Sequence, residues 1–169
     1  MSSPDGPGRE RGASAEGRPL NAAAPFVADL LPHSGTMVLL DEVVTHDDRT
    51  IRCRAHSHRR DGHPLAFQGV LPAWAGVEYA AQAMAAHFSL TAGTAGAMTI
   101  GLLGGLRDVV CFVERLDDIA SPLCVDAERL SNDAAGSIYA FRIIAEADGR
   151  TLVQGRATVV QQVRDQANA

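Results

Sequence analysis

The chain has 169 residues, a formal net charge of −5, 46% hydrophobic residues and 21% charged ones. That length accommodates one ordinary domain, and that apolar content builds a core, which excludes a disordered or fibrous chain. The acidic balance argues against a general nucleic-acid binder, whose phosphate-facing surface would be basic.

Residues 1–20 are rich in Gly, Ser, Pro and charge and predict a disordered tail, leaving 21–169 as a single folded domain. Asn21 to Leu31 predicts a short helix with Phe26, Val27, Leu30 and Leu31 on one side, closed by Pro32. Met37 to Val44 predicts a mostly buried strand. After a turn at His46–Arg49 the next strand alternates, with Ile51, Cys53 and Ala55 facing one way and Arg52, Arg54 and His56 the other. A polar loop from about Ser57 to Gly69 follows.

Pro72 then introduces a long helix that runs to about Leu90, with the proline near the first turn, where its missing N–H does no harm. Val77, Ala81, Met84 and Phe88 fall on one helical stripe, expected to pack against a sheet. Seven alanines between Ala73 and Ala86 keep this helix slim enough to be wrapped closely. Beyond Gly96 the chain reads as four strands: about Met98–Val113, Pro122–Leu130, Ser137–Ala147 and Thr151–Gln162. The order of two strands, a long buried helix and four strands predicts one antiparallel sheet curved around a central helix, an α+β architecture. It excludes the alternating units of a doubly wound parallel fold.

One carboxylate interrupts the apolar helix, Glu78, with Gln82 one turn on and no Lys or Arg between Trp74 and Leu90. A carboxyl placed among apolar neighbours must be hydrogen-bonded, and the i, i+4 spacing lets Gln82 do so. Such a group is a candidate general acid or base. The plainer alternative is that Glu78 points to solvent from a half-buried helix. Trp74 and Tyr79 read as core aromatics or as walls of a binding tunnel. Arg52, Arg54, Arg59 and Arg60 read as a solvated basic face or as a place for an acidic partner. Cys53, Cys111 and Cys124 are odd in number and sit in strand-like runs, as reduced thiols do. No metal-ligand spacing and no phosphate-binding glycine loop is present. Without an apolar run long enough to span a bilayer, or a signal core, the expected location is cytoplasmic.

Leu31-Pro-His-Ser-Gly-Thr-Met-Val-Leu-Leu-Asp41 resembles the opening segment of hotdog-fold 3-hydroxyacyl-ACP dehydratases. Pro72-Ala-Trp-Ala-Gly-Val-Glu78-Tyr-Ala-Ala-Gln82-Ala resembles their central helix, and more closely that of predicted dehydratases of aryl-polyene lipid clusters. The likeness spans about Leu31 to Val160. It implies a hotdog fold and loss of water from a 3-hydroxyacyl thioester to give a trans-2-enoyl thioester. The acyl chain would ride on the phosphopantetheine of an acyl carrier protein, with no other cofactor. It also implies a homodimer or a heterodimer with a related hotdog protein.

Carried onto this chain, the resemblance makes Glu78 the acid that protonates the departing hydroxyl, in a site whose loop histidine, which takes the proton at carbon 2, comes from the other subunit. Gln82 becomes its orienting partner, and the N–H groups of Ala73 and Trp74 become donors to the thioester carbonyl. The family's loop histidine falls on Pro64, so the adjacent His63 is the expected base, with His56 and His58 in reserve. A second alignment matches Phe67-Gln68-Gly69 and puts Val70 in the base's place, so that the base is missing or comes from elsewhere. His33 and His87 are expected to be structural. Two other classes stay open: a hotdog thioesterase using the same carboxylate, and a catalytically silent hotdog subunit that binds a carrier protein or a catalytic homologue.

Overall fold

A computed structural model describes residues 26–92, 99–133 and 136–163; the expected tail over 1–20 lies outside them. After a single helical turn, α1 (Val27–Leu30), come β1 (Glu42–His46), β2 (Thr50–Ala55), the long helix α2 (Gly76–Thr91), β3 (Thr99–Cys111), β4 (Leu123–Asp133), β5 (Gly136–Ala145) and β6 (Thr151–Val163). The strands form one antiparallel sheet in the order β1-β2-β4-β5-β6-β3. This sheet curves around α2 as in hotdog folds, the architecture expected from the element order.

Period-two patterning explains the inner face. Ile51 and Cys53 of β2, Val125 and Ala127 of β4, and Tyr139, Phe141 and Ile143 of β5 are all buried. Asp126 and Arg52 point to the other face, where they pair at 2.7 Å. The helix buries a different stripe from the expected one: Gly76, Tyr79, Ala80, Ala83 and His87 face inward with Met84, while Val77, Ala81 and Phe88 are only half-buried. The reason is proximity. A Cβ on Gly76 would lie 3.0 Å from Ile143 Cγ1 and 3.2 Å from a Val153 methyl, so even alanine would crowd the closest helix–sheet approach.

The first strand also begins later than expected. Leu39 and Leu40 are buried, but the Leu39 N–H donates to the Gln82 side chain rather than to a strand, and ladder pairing starts at Glu42. Residues 27–40 thus form a strap over the half-buried face of α2. It is fixed by Ser89 Oγ donating to the Leu30 carbonyl at one end and by Gln82 at the other. The polar loop at 57–69 exposes Arg59 to Gly62 and Phe67 to Gly69 but buries Ser57, His58 and His63.

Candidate active site

Glu78 occupies the first turn of α2, and its Oε1 receives two donors. His33 Nε2, from the strap, lies 3.0 Å away, and Gln82 Nε2 lies 3.1 Å away. Gln82 is itself anchored: its Nε2 also donates to the Met37 carbonyl at 2.7 Å and its Oε1 accepts the Leu39 N–H at 2.9 Å. One helical turn therefore carries the carboxyl and the amide that orients it, as the i, i+4 spacing predicts. Among the described residues Glu78 Oε2 has no hydrogen-bond partner. The carboxyl lines a cavity of about 620 Å³ walled by Leu65, Trp74, Val77, Leu106 and Val109, with Arg107 and Asp108 at its β3 side. Trp74, placed ahead of α2 by a short 3-10 turn at Ala73–Ala75, is 62% exposed and lies at this cavity rather than in the core.

The two expected carbonyl donors differ. Ala73 N–H is bonded to the Glu114 carbonyl at 2.9 Å, so it is not free for a ligand. Among the described residues the Trp74 N–H has no acceptor. It sits beside the N-terminus of α2, where the helix dipole favours negative charge.

The structure does not bring His63 to Glu78. His63 is 4% exposed and both ring nitrogens are engaged. Nδ1 accepts the Leu65 N–H at 3.1 Å, so the ring proton is on Nε2 and goes to the Tyr79 hydroxyl, 3.1 Å away. Ser57 Oγ donates to the Leu39 carbonyl at 2.6 Å, which leaves Tyr79 to donate to Ser57 at 2.8 Å. The chain His63→Tyr79→Ser57→Leu39 is thus saturated and directed. Burial holds His63 below the usual imidazole range, with Arg60 adding to the effect, and it pushes the Tyr79 hydroxyl up to about 12. His63, expected as the base opposite the Glu78 of a neighbouring chain, is within its own chain a buried histidine with both ring nitrogens engaged.

The reserves fare no better. His58 is fully buried and reaches the Ile119 carbonyl at 3.0 Å, while His56 is a surface residue paired with Asp41 at 2.8 Å. Val70 closes a tight two-residue hairpin with Phe67, the turn made by Gln68 and Gly69 at positive φ. Phe67, Val70 and Trp74 all remain exposed. His87 is structural as expected, with Nε2 to the Asp47 carbonyl and Nδ1 to Tyr139, both at 2.9 Å. The residue that sequence reasoning passed over is His33. Its signal was present in the opening motif, but nothing in one dimension connects position 33 to position 78.

A second hollow, about 580 Å³, lies on the outer sheet face. Its charges are partly matched, Asp126 holding both Arg52 and Arg142. Among the described residues no cluster of His, Cys, Asp or Glu is arranged to hold a metal, and no helix is long and apolar enough to cross a membrane.

A sheet wrapped on one helix, with a carboxylate in the helix's first turn facing a cavity, defines a hotdog-fold protein with a candidate acid on its central helix. The sequence matches the ApeP-like family, described as ApeP dehydratase, over residues 25–169. The chain belongs to that family, hotdog dehydratases of the aryl-polyene type.

A chain of the dehydratase heterocomplex ApeI:P from Xenorhabdus doucetiae is similar at 29% identity, with a TM-score of 0.72 over 83% of this chain and 93% of that one. A thioesterase family protein from Silicibacter pomeroyi shares 13% identity at a TM-score of 0.55, covering 73% of this chain and 85% of its own. A thioesterase from Haemophilus influenzae shares 11% at 0.55, covering 75% and 82%. At those identities the thioesterases share the fold alone. No curated protein matches the sequence.

Proposed function

We propose that this chain is the acid-bearing subunit of a dehydratase that removes water from 3-hydroxyacyl thioesters carried on an acyl carrier protein. The observation that carries this reading is Glu78: one oxygen fixed by His33 and Gln82, the other unpartnered, on a largely apolar cavity. A carboxyl so held presents its free oxygen to the 3-hydroxyl and delivers the proton that lets hydroxide depart as water. The thioester carbonyl gains charge as the proton at carbon 2 leaves, and the Trp74 N–H at the start of α2 stabilises it. Leu65, Val77, Leu106 and Val109 take the acyl chain.

The proton at carbon 2 needs a base. Among the described residues no histidine lines the cavity, and His63 is engaged elsewhere. The base therefore comes from a second, related hotdog chain, a reading supported by the similarity to a dehydratase heterocomplex. The edge strand β3 suits such a partner. It pairs on one side only, with β6, and it exposes Leu102, Leu103, Leu106, Val110 and, just beyond it, Phe112.

The test is a thioester assay with a 3-hydroxyacyl carrier protein, using the chain alone and together with a related hotdog chain from the same source. The expected product, from the pair, is the enoyl thioester with its carrier bond intact. Release of free acid and carrier thiol without enoyl product would favour hydrolysis. No turnover by the pair would favour the silent subunit.

A further inference from the structure

We propose that His33 is a positioning residue of this site, holding the Glu78 carboxyl so that Oε2 meets the substrate. The proposal rests on the dehydratase reading for its kinetic readout and on the strap geometry for its structural one. His33 Nε2 is 3.0 Å from Glu78 Oε1, and His33 Nδ1 is buried without any partner. The tautomer with its proton on Nε2 donates to the carboxylate and leaves a bare lone pair at Nδ1. The opposite tautomer would bury an unsatisfied N–H and set two acceptors against each other, the costlier arrangement. With Nε2 on Glu78 and Nδ1 shielded, neither nitrogen of His33 touches the substrate. It acts through Glu78.

The same oxygen also takes the Gln82 donor. Two donors from two separate elements, the strap and the helix, define the carboxyl plane, whereas Gln82 alone leaves it free to turn about its last torsion. A misplacement of about 1 Å at a proton-transfer group costs roughly 100-fold. The strap is thereby part of the site: residues 27–40, none of which lines the cavity, still set its reactive atom.

The experiment compares His33→Ala and His33→Gln with wild type in the assembled enzyme. Glutamine places an amide N–H where Nε2 stood but has no ring nitrogen. Turnover is read on a 3-hydroxyacyl carrier protein. Binding is read from the fluorescence of Trp74, the chain's single tryptophan, with a saturated acyl-pantetheine that has no hydroxyl to lose. His33→Ala should lower kcat at least about 30-fold with the binding constant unchanged, and His33→Gln should recover most of the loss. A parallel fall in kcat, binding and Tm, with no recovery by glutamine, would overturn the proposal.

If wild type dehydrates nothing, the dehydratase reading fails by itself. The His33 contact is then decided by its imidazole nitrogen chemical shifts. These should show the proton on Nε2 in wild type and shared between both nitrogens in Glu78→Ala. Shifts unchanged by Glu78→Ala would overturn it.

Discussion

Glu78 differs from the buried polar side chains around it in having one oxygen left over. Tyr79, one residue along, has none: its hydroxyl both accepts from His63 and donates to Ser57. That contrast separates a reactive group from a structural one and yields a prediction. Tyr79→Phe strands His63 Nε2–H in the core, leaves Ser57 Oγ only its bond to the Leu39 carbonyl, and should cost about 1–3 kcal/mol of folding stability, measured by urea denaturation, while turnover per folded molecule changes little. His63→Ala should behave the same way, since it orphans the Leu65 N–H and takes from the Tyr79 hydroxyl the donor that it accepts. A His63→Ala protein of full stability and no activity would restore the base role that the motif alignment assigns to it.

At the scale of the element, α2 does two things with one sequence: small residues on its inner face let the sheet approach, and its first turn presents Glu78 outward. Gly76→Val should force Ile143 and Val153 apart, cost about 1–3 kcal/mol as overpacking and displace Glu78, two residues on. Calorimetry and turnover should fall together; an unchanged Tm would mean that the close approach is not real. The strands were legible because alternation at Ile51–Ala55 and Tyr139–Ile143 records burial residue by residue. The helix stripe was misread because alanine and glycine carry little apolar signal, so the larger Val77 and Phe88 marked the wrong face. Glu78 with Gln82 was legible as a local pair. His33 and the burial of His63 were not, because both depend on a strap and a loop folding back across 45 and 16 positions of chain, which periodicity does not encode.

For the whole molecule, three histidines, His58, His63 and His87, are held below the usual imidazole range chiefly by burial. The unfolded chain therefore binds protons that the fold refuses. This contribution to stability is present in full above the unfolded value near 6.5 and is lost as pH falls from there toward the folded values. Asp117 acts in a separate, lower window: hydrogen bonding from Arg115 lowers it to about 2, so its contribution fades only as pH drops below the ordinary carboxylate value. Urea midpoints should fall between pH 7.5 and 5; a flat profile would contradict the neutral, buried assignment of these rings. The central claim is that Glu78 supplies the departing hydroxyl's proton, and Glu78→Gln in the assembled enzyme tests it most directly. Glutamine keeps the side chain's size and a carbonyl for the His33 donor but has no transferable proton. Mass analysis of the carrier-bound product should show dehydration slowed at least about 100-fold, with folding and assembly intact. Loss of water at the wild-type rate would contradict the account.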